Sequence, residues 1–184
     1  VGQMIHNEQN RNRPYSVIDA RVSTTYAASS SATSVSKLND PYVKFIRWAT
    51  DRLGTRDGIV CFVTNNSLLE QVAFDGMRKH LLQDFTAIYH LDLKGNVRKN
   101  PKLSGTQYNV FGIQVGVGIT VLVRRQTKPW SVARGRPAAG ASFVRYADIA
   151  ADVRRAEKLT WVQKQQSVTG VRWKKLHPDE KHSW

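Results

Sequence analysis

The chain has 184 residues, enough for one domain with a real core, and its 28 Lys and Arg against 14 Asp and Glu give a formal charge of +14. That balance favours a polyanionic partner, nucleic acid foremost, although a generally basic soluble protein has the same count. Cys61 is the only cysteine, which excludes a disulfide framework and a cysteine-based zinc site and predicts a cytoplasmic protein. No apolar run approaches the roughly 20 residues that span a bilayer, so no membrane partner is expected.

The first residue is Val1 rather than Met, and the first forty positions carry little hydrophobic periodicity, which suggests a piece of a longer polypeptide. Residues 1–38 are rich in Asn, Ser, Thr and Ala, with 27–36 nearly low-complexity, and read as a functional loop or a disordered tail. At Asp40 the pattern changes. Asp40 suits an N-cap and Pro41 the first helical position, and Val43, Ile46, Ala49 and Leu53 recur at helical spacing before Gly54. Residues 58–64 are then a continuous apolar run, as in a central strand of a parallel sheet covered on both faces. Asn65 and Asn66 make a turn, and Ser67 with Glu70 forms a capping box for a helix to about Gln83 that turns Leu68, Val72, Leu81 and Leu82 inward. A strand over 85–93 follows, so helix, strand, helix and strand alternate as in a doubly wound sheet with right-handed crossovers. Residues 95–107 are polar and basic, and 117–123 form a last strand that closes the sheet before Arg124 and Arg125. Beyond it, 126–140 reads as a Pro, Gly and Arg linker, 146–159 as a helix, and 161–184 as irregular and Trp-bearing.

Five blocks in this order carry a resemblance. They are Tyr42-Val43-Lys44-Phe45-Ile46-Arg47-Trp48-Ala49, Gly58-Ile59-Val60-Cys61-Phe62-Val63-Thr64-Asn65-Asn66-Ser67, Asp75-Gly76-Met77-Arg78, Leu91-Asp92-Leu93-Lys94-Gly95-Asn96-Val97-Arg98, and Val110-Phe111-Gly112-Ile113-Gln114-Val115-Gly116-Val117-Gly118-Ile119. Together they resemble the adenine-specific (N6) DNA methyltransferase region of single-polypeptide, type I-like restriction-modification enzymes, which fuse it to nuclease, helicase and target-recognition parts. The resemblance covers roughly residues 1–125. It implies an α/β fold, the distal half of a class I (Rossmann-like) methyltransferase sheet, mostly parallel with a last antiparallel strand inserted between two parallel ones. It further implies a division into a loop-rich segment 1–38, a half-domain 39–125, and an extension 126–184 toward a target-recognition region.

In such enzymes S-adenosylmethionine binds the first half of the sheet, and an Asn-Pro-Pro-Tyr motif holds the flipped adenine. Neither lies in this chain, so no catalytic or cofactor-binding residue is expected in it, and the chain is expected to be inactive alone. Its implied partners are double-stranded DNA and the remaining parts of the polypeptide, with homo-oligomerisation as another way to complete the half-sheet. The competing expectation is a stand-alone basic α/β module that holds nucleic acid without chemistry.

Asn39-Asp40-Pro41-Tyr42 is one letter from the catalytic tetrapeptide but follows a polar stretch rather than an apolar strand, so it reads as a helix start. Gly112, Gly116 and Gly118 lack the strand, glycine turn and helix order of a cofactor loop and read as close packing or bulges. By its place before the last strand, Phe111 resembles the aromatic ring on which such enzymes stack the flipped base; a Phe beside Ile113 and Val115 is also an ordinary core residue. Lys94, Asn96, Arg98, Lys99 and Lys102 follow a strand end, where open α/β sheets place ligands, and suit phosphate contacts or a solvated loop. Asn65 and Asn66 follow another strand end and border the same region. His6, His80, His90, His177 and His182 show no metal-ligand spacing.

Overall fold

The computed structural model describes residues 15–98, 107–125, 142–180 and 182–184. Its elements in chain order are α1 (Ser16–Val22), running into a π-helical turn (Ser23–Ala27), a 3-10 turn (Ser36–Asn39), and α2 (Pro41–Leu53). Then come β1 (Gly58–Asn65), α3 (Ser67–Glu70), a 3-10 turn (Val72–Phe74), α4 (Asp75–Asp84), β2 (Ala87–Asp92) and β3 (Val117–Arg124). β4 (Phe143–Asp148), α5 (Arg155–Gln165), a 3-10 turn (Val168–Gly170) and β5 (Lys174–Leu176) complete the order.

The strands lie in the order β1-β3-β2-β4-β5. β3 is inserted antiparallel between β1 and β2, as expected for a last strand of this kind. The expected mostly parallel pairing is corrected: three of the four pairings are antiparallel, and only β2 with β4 is parallel. β1 and β2 point the same way, but the inserted β3 keeps them from pairing with each other. β1 is therefore the edge of the described sheet rather than a central strand, and Ile59 and Cys61 on one of its faces are exposed.

Three further expectations are corrected. Residues 16–27 are helical rather than loop, because Val22 and Tyr26 sit on the inward side and bury in the core. The single helix from Ser67 is broken: Gln71 is extended at φ −70° and ψ 135°, and Arg78 supplies the reason. Its Nη1 donates to the carbonyls of Leu68 and Gln71 at 2.9 Å each, replacing intrahelical bonds that would continue α3. The Ser67 capping box is absent too; the Ser67 amide donates to Asn65 Oδ1 instead, at 2.9 Å. The helix expected over 146–159 begins as strand, since Phe143, Val144 and Tyr146 favour the pleated surface, and the segment after 161 continues α5 and adds β5.

Alternation along the strands divides the core in two. Val60, Leu122, Ile88 and Val144 stand in register across four strands and meet Val43 and Ile46 of α2 and Met77 and Leu81 of α4. Leu91, Val117 and Ala147 meet Trp161 and Val162 of α5 on the opposite face. Asp40 caps α2, accepting from the Tyr42 amide at 3.4 Å, as its place before Pro41 predicts. The Asp75-Gly76-Met77-Arg78 block is buried throughout. A Cβ on Gly76 would lie 2.1 Å from the Tyr26 carbonyl oxygen, so only glycine lets α4 approach the π-turn that closely.

Candidate nucleic-acid interface

β1, β2 and β4 point in one direction, so the segments leaving them meet at one end of the sheet. A buried polar cluster fills that end. Asn66 Nδ2 donates to Asp92 Oδ1 at 2.5 Å, and Asn66 Oδ1 lies 3.2 Å from His90 Nε2. His90 Nδ1 is 2.9 Å from Thr120 Oγ1, which is 2.9 Å from Thr64 Oγ1. An amide oxygen only accepts, so His90 carries its proton on Nε2 and accepts from Thr120, which accepts from Thr64. Burial pushes the His90 pKa down to about 4 despite Asp92 nearby, so the ring is neutral. Gly118 makes room for it: a Cβ there would lie 2.3 Å from His90 Nε2, the close packing expected of this glycine.

Asp92 also anchors the segment that leaves β2. Its Oδ1 accepts the Lys94 amide at 2.6 Å, and its Oδ2 accepts the Tyr146 hydroxyl at 2.9 Å. The Lys94 ammonium lies 2.9 Å from Asp92 Oδ2, 3.0 Å from Asp148 Oδ2 and 3.0 Å from the Tyr146 oxygen. Burial lowers the Lys94 pKa, but its bonds to Tyr146, Asp92 and Asp148 outweigh this and hold it well above the ordinary value. On the Tyr146 hydroxyl burial acts the other way and pushes its pKa up to about 12. Lys94 and Gly95 then take φ of 57° and 82°, which turns the chain away from the sheet.

The returning segment is locked by Asn109. Its Nδ2 donates to the carbonyls of Gly95 at 3.1 Å and Val115 at 2.7 Å, and its Oδ1 accepts the amides of Phe111 at 2.9 Å and Ile113 at 3.4 Å. Lys158 of α5, fully buried, donates to the carbonyls of Leu93 at 2.8 Å and Tyr108 at 2.7 Å, fastening both sides of the segment. Phe111 projects from this locked turn with 48% of its surface exposed, while Val110 beside it is buried.

The structure thus sorts the residues singled out in the sequence. Asn66 belongs to the polar cluster, whereas Asn65 shapes the turn into α3. Lys94 is ion-paired inside the fold, so its charge is already matched by Asp92 and Asp148. Asn96 lies beside Gly116, and exposed Arg98 donates to Gln114 Oε1 at 3.4 Å. Lys99 and Lys102 lie outside the described residues. Phe111 is not a core residue. Sequence reasoning missed His90, Asp92, Thr120 and Tyr146, because polar residues in apolar strand patterns announce their burial only through register. It missed Asn109 and Lys158 as well; the Asn two residues before an apolar-flanked Phe was the only available sign of a side-chain turn. Among the described residues no group of three or more His, Cys, Asp or Glu could hold a metal ion, and no helix is long and apolar enough to cross a membrane.

A mixed α/β sheet with a strand inserted antiparallel and an aromatic-tipped loop at the ends of its co-directional strands defines the architecture. No protein-family model matches the chain, and no curated protein sequence does. Among solved structures it is similar to part of the DrdV–DNA complex, at 38% identity and TM-score 0.80 over 96% of this chain and 16% of that one. It is similar to part of the ATP-dependent Type ISP restriction-modification enzyme LlaBIII bound to DNA, at 30% identity and TM-score 0.81 over 94% of this chain and 11% of that one. A nuclease-deletion mutant of the Type ISP enzyme LlaGI, in complex with a DNA substrate mimic, matches at 27% identity and TM-score 0.79 over 96% and 16%. The chain is thus similar to one region of each, two of them Type ISP restriction-modification enzymes, and spans only 11–16% of their length.

Proposed function

We propose that the chain is the DNA-facing, target-base side of an adenine-N6 DNA methyltransferase within a restriction-modification polypeptide, and that it does not methylate by itself. The observation that carries this reading is the exposed Phe111 ring on a hydrogen-bonded loop at the ends of the co-directional strands. A base taken out of a duplex loses stacking worth a few kcal/mol, and stacking on an aromatic ring restores roughly 1–3 kcal/mol. Phe111 is the ring that does this. Arg98, exposed at the start of the same loop, meets the phosphates, with Lys99 and Lys102 beside it in sequence and Asn65, Asn66 and Asn96 bordering the region. The likeness to enzymes solved with DNA, together with the net charge of +14, supports DNA as the partner.

S-adenosylmethionine would supply the methyl group. The described residues do not fit it: α3, which follows β1, is four residues long, and the start of α4 is filled by the Asp75 carboxylate and the Ser31 segment. Cofactor binding and methyl transfer accordingly belong to other parts of the polypeptide, which would join at the open edge of β1 beside the exposed Ile59 and Cys61. Sequencing the source locus upstream of the Val1 codon tests this. An open frame carrying an apolar strand that ends in Asn-Pro-Pro-Tyr, or a close variant, is the expected result. A start codon directly at that point would favour a stand-alone nucleic-acid-binding module instead.

A further inference from the structure

We infer that Asn109 is a positioning residue that holds Phe111 out of the core and ready to receive an unpaired base, an inference that rests on the reading of Phe111 given above. Phe111 lies between Val110 and Ile113, both of which pack into the apolar cluster under α5. Burying a Phe ring there would be favourable on area alone, so something must hold it outside.

Asn109 does so by geometry. It is fully buried and polar, yet its side chain makes all four bonds that an amide can: two donors to Gly95 and Val115, two acceptor bonds from Phe111 and Ile113. The acceptor bonds, with the Gly112 amide donating to the Asn109 carbonyl at 3.1 Å and Gly112 at φ 69°, close a tight turn. Val110 and Phe111 are its two central residues and diverge, Val110 inward and Phe111 outward. The donor bonds tie that turn to the segment leaving β2 and the segment entering β3, and Lys158 fixes the same base from α5. The ring is thus placed before any base arrives, and its ordering cost is met in folding rather than in binding. Aspartate has the right length but cannot donate; serine is too short to span both sides.

The test compares two DNA duplexes bound by the complete natural polypeptide, identical except that one adenine faces an abasic site in the first and thymine in the second. The wild-type protein should prefer the unpaired adenine by about tenfold, the scale of one base–aromatic stack. Phe111→Ala should erase the preference, and Asn109→Ala should erase it too while binding the paired duplex as before. A folded Asn109→Ala that keeps the wild-type preference overturns the positioning role while leaving the reading of Phe111 intact; a Phe111→Ala that keeps it overturns that reading itself. Should Asn109→Ala fail to fold, the neutral Asn109→Ser replaces it, since its short hydroxyl loses the bonds to Gly95 and Val115 without burying a charge. A reduced preference with unchanged paired-duplex binding then supports the role, and an unchanged preference overturns it.

Discussion

Replacing Asp75 by Asn should flatten the acid limb of the stability curve. Asp75 is buried at the start of α4, where Oδ2 accepts the Ser31 amide at 2.7 Å and the Ser31 hydroxyl at 2.5 Å, and Oδ1 accepts the Gly76 amide at 2.5 Å. Burial raises its pKa, but the bonds from Ser30, Ser31 and Gly76 outweigh it and bring the value from the ordinary 3.8 down to about 2. At roughly 1.4 kcal/mol per unit, that drop corresponds to about 2 kcal/mol of stability. Because the folded-state pKa is depressed, this contribution is complete above pH 3.8 and is lost as the pH falls toward 2. The substituted amide would be uncharged throughout and would turn either its oxygen or its NH2 toward two donors, so Asp75→Asn should be less stable at neutral pH by about 2 kcal/mol. Urea unfolding at a series of pH values between 7 and roughly 2 measures both effects, and the gap between wild type and Asp75→Asn should narrow below about pH 4. Parallel curves across the whole range would refute the assignment of that acid limb to Asp75.

Three other tightly packed positions should respond measurably. His90 should titrate by NMR near 4 rather than 6.5; since its folded pKa is lowered, its burial costs stability progressively as pH falls from about 6.5 to 4, and a titration near 6.5 would contradict its enclosed, neutral state. Arg78→Met should cost about 3 kcal/mol in chemical unfolding, because the carbonyls of Leu68, Gln71 and His182 lose their donor, and a cost under about 1 kcal/mol would deny that Arg78 holds the break between α3 and α4. Gly76→Ala should cost at least about 3 kcal/mol or prevent folding, because the added Cβ meets backbone of the π-turn rather than a side chain that can move, and a neutral substitution would mean the contact is not real.

The parts of the fold that were legible in the sequence are those set by local chemistry. Asp40-Pro41 at the start of α2 and Gly54 at its end, with a buried stripe of Val43 and Ile46, fix that helix from the sequence alone. The apolar runs of β1, β2 and β3 were equally plain, as was the inserted strand that the resemblance implied. The helix break at Gln71 was not legible, because it depends on Arg78 reaching back over seven residues to a carbonyl. β4 was hidden since its partner in the parallel pairing, β2, lies about fifty residues earlier, and Tyr146 and Arg145 lend the stretch no clear alternation. At the candidate site, Phe111 and Asn66 could be picked out by their place after or before a strand. The charge of Lys94 suggests phosphates, and only the structure reveals Asp92 and Asp148 already beside it.

The most direct test of the proposed function is to incubate the complete natural polypeptide with S-adenosylmethionine and DNA and analyse the digested nucleosides by mass spectrometry. The expected product is N6-methyladenine, falling by about tenfold or more in kcat/KM when Phe111 is replaced by Ala. DNA that is bound but left unmethylated, or methylated on cytosine, would contradict it.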